Sequence, residues 1–340
     1  MSRFKIGGPL RYKRNFYIRR QVEQELYSAL KQGESCCIAG PSQLGKTSLL
    51  RRVELQLRDD NISCIYLSLD EIGQAPEEQW FYTFSYLIRT RVGNMEQDAT
   101  LLFPMQKCLH QFNQLLETAI TPIVILIDEV NAILELEFSD EFFSMIYEIY
   151  KKYNQRIIFC LAGIFSFKTP FKIISLNDFT LTETNVFAPG LQNVPGDTEA
   201  WLQAIYYWTA GHPYMTQKLC YELSLQAKFL AKSEHPALII QHLVDHCFFN
   251  KIDFSVAYPN RRLREIKDTD FLRQILSLYR RIVEGEVIDA QPSDKAQMQL
   301  YIAGLICQEK TKGHTILCIR NRIIKRFYDR KWIQQELNIL

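Results

Sequence analysis

Eight consecutive residues constrain this chain more than any other feature. Gly40-Pro41-Ser42-Gln43-Leu44-Gly45-Lys46-Thr47 fits G-x-x-x-x-G-K-[ST] without departure. The half-apolar run from Glu34 to Ala39 reads as a strand that stops at Gly40-Pro41. Ser48 to Leu57 repeats Leu and Arg at a period near 3.6, so the loop opens onto a helix. A strand before and a helix after is the context in which this motif holds phosphate. Gly45 lets the backbone curl so that successive amide N–H groups face a phosphate, and the helix N-terminus adds partial positive charge. Lys46 reaches the terminal phosphates and Thr47 offers its hydroxyl to Mg²⁺; Gly40, Pro41, Ser42, Gln43, Leu44 and Ser48 complete the expected loop.

A phosphate loop needs an acidic partner at the end of a neighbouring strand. Ile123-Val124-Ile125-Leu126-Ile127 is an unbroken aliphatic run that ends in Asp128-Glu129. Asp128 is expected to hold Mg²⁺ through water and Glu129 to polarise the attacking water, with Lys46 the second catalytic residue through its reach to the phosphates. Leu69-Asp70-Glu71 also ends a strand, but its run is less purely aliphatic. The preferred assignment requires one strand between the loop strand and the acid strand.

The rest of the chain extends this pattern. Strands are expected over 62–69, 123–127, 157–162 and 171–176, with helices over 17–30, 80–91, 105–116 and 142–153. Alternating strands and helices imply a mostly parallel sheet in an α/β domain. The punctuation Ala188-Pro189-Gly190 and Pro195-Gly196-Asp197 comes next, then helical patterns over 198–250, with 201–208 and 214–225 the clearest. Helices over 271–283 and 295–305 precede a hairpin, with strands over 305–308 and 316–319 about Lys312-Gly313, and a basic amphipathic helix to Leu340. Helices followed by a hairpin suggest a winged helix. The expected division is a phosphate-loop domain with a basic N-terminal arm over 1–185, a helical lid over 186–256 and a winged-helix-like domain over 257–340.

A chain of 340 residues with 47% hydrophobic and 23% charged residues is long enough for two or three folded domains. No apolar run reaches membrane-spanning length, and no apolar segment follows the first residues as a secretion signal would require. The nine cysteines include no Cys-x-x-Cys pair and read as reduced thiols in a cytoplasm. The net charge of +2 conceals an asymmetry. Residues 1–20 hold seven basic and no acidic side chains, and 310–331 hold eight basic side chains against Asp329 alone, which leaves −11 between them. The basic ends therefore have two available partners: the chain's own acidic middle, or a nucleic-acid backbone.

The phosphate loop, Asp128-Glu129, Phe4-Lys5-Ile6-Gly7-Gly8-Pro9-Leu10, Tyr17-Ile18-Arg19-Arg20-x-x-Glu23 and Gln79-Trp80-Phe81 together resemble the bacterial AAA-like ATPases of the STAND class. These are signal-transducing NTPase switches. Thr169-Pro170-Phe171, Gly211-His212-Pro213-Tyr214 and Ile319-Arg320-Asn321-Arg322-Ile323 followed by Trp332 resemble later landmarks of the same family, so the resemblance spans nearly the whole chain. It implies a P-loop NTPase sheet domain of the AAA-like type, then a helical lid and a winged helix, with ATP and Mg²⁺ as cofactors. Arg20 would lie near the nucleotide at the domain's entry. Gly211 and Pro213 would lie in the lid, with the proline ring near the adenine. The family loop usually carries Arg where this chain has Ser42. Ser166 is the candidate polar residue after the fourth strand, and Arg156 one of several candidates for an arginine finger.

The function this implies is a slow or partner-stimulated ATPase acting as a molecular switch in bacterial signalling or defence, through a protein partner or ATP-dependent self-assembly. A DNA-binding ATPase of the origin-recognition or transposition-regulator type, using the winged helix on duplex, is the alternative. A nucleotide-binding scaffold that hydrolyses little is a third reading. No guanine-reading Asn-Lys-x-Asp is present, which favours adenine. His242 and His246 have the spacing of two zinc ligands on a helix, but Asp245 stands where zinc proteases place Glu, and a surface helix accounts for them.

Overall fold

The computed structural model describes residues 3–8, 10, 14–92, 121–163, 169–231, 233–291, 293–311 and 313–340. The helix expected over 105–116 and the candidate Ser166 lie outside them. The chain forms two compact units. One, the sheet unit, comprises Arg19–Gly40 and Lys46–Leu176; the other, the helical unit, comprises Met1–Ile18, Pro41–Gly45 and Asn177–Leu340.

The sheet unit is built on β1 (Cys36–Ala39), β2 (Ser63–Ser68), β3 (Ile123–Asp128), β4 (Ile157–Gly163) and β5 (Lys172–Ser175), with helices α1 (Gln21–Lys31), α2 (Lys46–Asp59), α3 (Glu77–Val92) and α4 (Ser139–Lys152). The strand order is β2-β3-β4-β1-β5, and every neighbouring pair is parallel. β4 thus separates the loop strand from the acid strand. Every residue of β3 and β4 is buried, as expected for parallel strands covered on both faces. Cys37, Ile125, Ile127, Phe159 and Leu161 share a core with Trp80, Phe81, Phe84 and Phe142. Trp80 stacks on Phe84 with centroids 5.5 Å apart and meets Phe142 edge-on, so the tryptophan of the Gln79-Trp80-Phe81 landmark is a packing residue. On α1, the buried Glu23 accepts from Gln56 and pairs with Arg52 at 3.4 Å, which ties α1 to α2. Helix α1 starts at Gln21, later than the apolar spacing from Tyr17 suggests. Phe16 and Ile18 are buried and Arg19 exposed, a period of two rather than 3.6, and Arg20 is extended at φ −107°, ψ 155°.

The helical unit contains α5 (Thr198–Thr209), α6 (Pro213–Gln226), α7 (Pro236–Val244), α8 (Phe254–Arg264), α9 (Thr269–Val283) and α10 (Lys295–Ala303). The hairpin β6 (Ile306–Thr311) and β7 (His314–Ile319) comes after them, then α11 (Arg322–Phe327) and α12 (Arg330–Ile339). Asp197, Asp253, Asp268 and Asp294 each accept backbone N–H groups at the start of a helix, and Thr180 with Glu183 forms a reciprocal capping box. Five carboxylates of the chain's acidic middle are thus engaged in starting helices, each cap contributing about 1 kcal/mol. Phe4, Phe16 and Ile18 enter the same core as Phe187, Leu191 and Trp201.

The single basic helix expected up to Leu340 is two helices. Tyr328 leaves the helical region at φ −104°, ψ 59°, and the Asp329 carboxylate restarts the chain by accepting from the Trp332 N–H. The buried Tyr328 ring carries its hydroxyl into α8, where it donates to the Val256 carbonyl and accepts from the Asn260 N–H at 3.1 Å. In an unbroken helix that N–H would bond the Val256 carbonyl directly, so the hydroxyl is inserted into the ladder one residue after Pro259, which has no N–H to give.

Candidate functional site

In the sheet unit the motif residues fall at the C-terminal ends of β1 and β3, where open parallel sheets present ligand sites. Lys46 is the first residue of α2. It is buried, and its ammonium donates to the Gly40 carbonyl at 2.8 Å; Thr47 and Ser48 beside it are half-buried. Asp128 closes β3 and is fully buried. One of its oxygens accepts from the Tyr66 hydroxyl at 2.8 Å, the other from the Glu129 N–H at 2.9 Å. Burial first, and then the Asp128 charge, pushes the Tyr66 pKa up, so the hydroxyl stays a donor. The Arg51 guanidinium lies 3.3 Å from the Tyr66 ring centroid and fixes the other side of that ring. Motif reading misses this contact of Tyr66 with the candidate Asp128, because in sequence Tyr66 is one more aromatic in a core strand.

Glu129 holds a left-handed backbone, φ 53°, ψ 44°, which is uncommon outside glycine and is the sort of local strain that gathers at functional sites. Gly163 at the end of β4 makes room for the turn of chain after Glu129: a Cβ there would meet the Val130 N and Cβ at 3.2 Å and the Asn131 N at 3.3 Å. The Glu129 carboxyl is shifted upward, by burial first and by the neighbouring Asp128 second; Lys46 opposes the shift and Asp70 adds to it. Asp70 and Glu71 are themselves exposed, and Glu71 pairs with Arg91 at 2.6 Å. Two adjacent carboxylates in a buried setting, one of them held by neutral donors, are a place for a cation. Mg²⁺ needs only one or two side chains when phosphate oxygens and water supply the rest, so Asp128 and Thr47 suffice as a donor set.

The apex of the loop, Pro41–Gly45, groups with the helical unit. Gln43 and Gly45 have φ of 67° and 87°, and Leu44 is buried. Ser42 and Gln43 line a cavity of about 10 Å³ together with His212, Tyr258, Gly304 and Arg320, room for about one water. Arg320 is buried and donates through Nε and Nη2 to the two oxygens of Asp178 at 3.0 and 2.8 Å. His212 caps α6 by accepting from the Met215 N–H at 3.5 Å. Its pKa is pushed down to about 3, by burial first and then by the Arg320 charge, so it is neutral.

The remaining expected site residues fall elsewhere. Arg20 is the half-exposed N-cap residue of α1. Gly211 has φ +80° and its carbonyl accepts from the Phe179 N–H at 2.9 Å; a Cβ there would lie 1.8 Å from the Phe179 oxygen, so packing alone requires glycine. Pro213 is the buried first residue of α6, where its missing N–H costs nothing. Arg156 is exposed on the turn before β4. Three arginines of the basic C-terminal region meet partners inside the helical unit: Arg320 on Asp178, Arg322 with its guanidinium 3.9 Å from the Tyr207 ring, and Arg326 on Asp245 at 2.5 Å and over Phe249 at 4.4 Å.

Comparison with known proteins gives likenesses of sequence and of fold. The chain is 31% identical over 379 residues to a WD repeat-containing protein of Synechocystis; the match covers 99% of this chain and 31% of that protein, so the chain spans about a third of its relative's length. A chain of the Drosophila ORC bound to DNA superposes with a TM-score of 0.50 at 12% identity, over 91% of this chain and 86% of that one, a likeness of fold alone. Cdc6p of Pyrobaculum aerophilum matches at 14% identity over 94% and 97% of the two chains, with a TM-score of 0.49. Residues 6–161, which hold the loop, both carboxylates and the buried strands, match the AAA-like domain family.

Proposed function

We propose that this chain is an ATP-dependent switch of the STAND type. Residues 40–48 hold the phosphates of ATP, Lys46 neutralises the terminal ones, and Thr47 and Asp128 hold Mg²⁺, which would supply the Lewis-acid charge on the phosphoryl oxygens. Glu129 accepts a proton from the attacking water, the role for which an upward-shifted carboxyl is suited. Tyr66 orients Asp128. The observation that carries the reading is the fully buried Asp128 at the end of β3, held by a hydroxyl and a backbone N–H and followed by a left-handed Glu129. Arg20 and Pro213 belong to the same proposal as nucleotide contacts at the entry and the lid. So does the division into a nucleotide domain, a lid over 186–256 and a winged-helix-like segment over 257–340, with output through a partner or self-assembly.

The internal partners of Arg320, Arg322 and Arg326 favour a docked switch element over a DNA-reading one. Lys325, Arg330 and Lys331 remain exposed, and they are what favours the second reading, an origin-recognition-type ATPase that contacts duplex phosphates. One experiment addresses both. ATP affinity is measured for the wild type and Lys46→Ala, and duplex affinity is measured against salt for the wild type and Lys325→Glu with Lys331→Glu. The switch reading expects Lys46→Ala to weaken ATP binding by about 100-fold, as the loss of a charge-assisted contact of about 3 kcal/mol implies, with duplex binding weak in every variant. Unchanged ATP affinity refutes the site. A steep salt slope abolished by the double charge reversal replaces the switch with the DNA reading.

A further inference from the structure

The hairpin of the helical unit places two thiols directly opposite each other. Cys307 on β6 is the register partner of Cys318 on β7. In an antiparallel pair, directly opposed side chains leave the same face of the ribbon. The face shared by Ile306 and Leu317's side of the ladder belongs to the core, where both are buried; Cys307 and Cys318 take the opposite face and are half-exposed. Of the remaining described cysteines, all but Cys64 are buried. Cys36, Cys37, Cys160 and Cys220 are fully buried and Cys247 nearly so, and Cys64 is half-buried on β2.

The type of pair is fixed by one bond. The Arg320 N–H donates to the Leu305 carbonyl at 3.0 Å, one rung before Ile306 and Ile319. Hydrogen-bonded and non-hydrogen-bonded rungs alternate, so Cys307 and Cys318 form a hydrogen-bonded rung, with an expected Cα separation of about 5.5 Å. That lies inside the range disulfides span, roughly 4.4–6.8 Å. The Cβ atoms of such a rung sit about 4.5–5.5 Å apart, whereas a relaxed disulfide needs about 3.5–4.5 Å. The hairpin must therefore close by up to about 2 Å to make the bond, which places any such bridge among the strained, easily reduced ones.

We propose that Cys307 and Cys318 are a reversible thiol–disulfide pair, a redox modification site on the hairpin that responds to low-molecular-weight disulfides. The Cys318 thiolate attacks one sulfur of the small disulfide, forming a mixed disulfide and releasing one small thiolate. The Cys307 thiolate then attacks Cys318 Sγ, forming the cross-strand bond and releasing the second. Two protein thiols are oxidised, one small disulfide is reduced to two thiols, and the two protein protons end on them. Cys318 is the first nucleophile because it is the more accessible. Its thiol donates to a Glu309 carboxylate oxygen at 3.3 Å, and burial and that carboxylate push its pKa up to about 11, against about 12 for Cys307. Exchange at neutral pH is accordingly slow and accelerates as pH rises. The bond would form two rungs from the Leu305–Arg320 rung, whose arginine is held by Asp178 and lines the cavity with Ser42 and Gln43.

The test incubates the folded wild type with glutathione disulfide, alkylates the remaining thiols and maps the products by mass spectrometry. The expected result is a bridge joining the segments that contain Cys307 and Cys318, with the loss of two hydrogens, fully reversed by dithiothreitol. Cys307→Ser is expected to stop at a glutathione adduct on Cys318, and Glu309→Gln to speed the exchange several-fold without changing its product. Both cysteines left alkylatable after prolonged exposure, stable glutathione adducts on both in the wild type, or a bridge between other cysteines would each overturn the proposal.

Discussion

The end of β3 and the surroundings of Arg320 treat buried charge in opposite ways. At β3, two adjacent carboxylates share a buried corner; Asp128 is satisfied by a tyrosine hydroxyl and a backbone N–H, and Glu129 is pushed upward because burial and Asp128 both disfavour its charge. Around Arg320 the charges match: a guanidinium meets a carboxylate through two bonds, the neighbouring histidine is kept neutral, and Arg326 and Lys218 each reach their own aspartate. An imbalance of charge that the fold leaves in place points to a cation or phosphate that completes it. A balanced pair needs nothing further and serves architecture. The two regions should therefore respond differently to mutation, one in turnover and the other in stability.

The largest effect is expected at the unbalanced corner. Glu129→Gln removes the proton acceptor while keeping shape, and should lower ATP turnover by about 10²–10⁴-fold, the usual contribution of a positioned general base, with ATP affinity retained. The pH profile carries a second signature. Glu129 works only as the carboxylate, and its pKa lies above the ordinary value of 4.5. Acidification should thus cut wild-type turnover at a higher pH than an ordinary carboxylate would, and this limb should vanish in the glutamine variant. Steady-state phosphate release across pH checks both. Undiminished turnover in Glu129→Gln would break the assignment of that corner to catalysis.

The balanced region should answer in stability. Arg320→Ala leaves Asp178 without its bidentate partner, and breaking a buried pair from one side costs about 3–5 kcal/mol. Arg320→Met with Asp178→Leu removes both charges, so most of that loss should be recovered, since a buried pair and well-packed apolar residues are often close in energy. Urea unfolding of the three proteins decides it. A double variant as unstable as the single would mean that Arg320 acts through contacts other than Asp178, and the contrast between the regions would lose its basis.

The two regions also differ in how much of them is legible in the sequence. Loop, strand and acid lie within short runs whose chemistry depends on neighbours in the chain, so the motif and the aliphatic pattern pick out Lys46 and Asp128 as candidates, while the strand between them is what the P-loop resemblance implies. Tyr66 cannot, because the hydroxyl that meets Asp128 comes from a strand 62 residues away. Arg320 and Asp178 are 142 residues apart, and no spacing rule links them. The C-terminal region reads as one helix because its basic and apolar residues keep helical spacing across Tyr328. The break is imposed by a tertiary contact, the hydroxyl inserted in α8, and by the Asp329 cap.

That contact gives the smallest of the expected effects and the finest probe of the helical unit. Tyr328→Phe keeps the buried ring and its edge-on contact with Trp332 at 4.6 Å but deletes the oxygen that bridges the Val256 carbonyl and the Asn260 N–H. If α8 can close its own ladder once the hydroxyl is gone, the direct bond replaces two others and the cost should be under about 1 kcal/mol. The neighbouring Pro259 argues against closure, because its ring prevents the helix from tightening at this turn. Both backbone groups then stay buried without a partner, and the loss should be about 1–3 kcal/mol, read as a lower urea midpoint with an unchanged slope. Pairing Tyr328→Phe with Pro259→Ala separates the two: restored stability in the pair would show that the proline holds the gap open and the tyrosine fills it. A loss that persists in the pair would instead assign the tyrosine's role to anchoring α11 and α12 against α8.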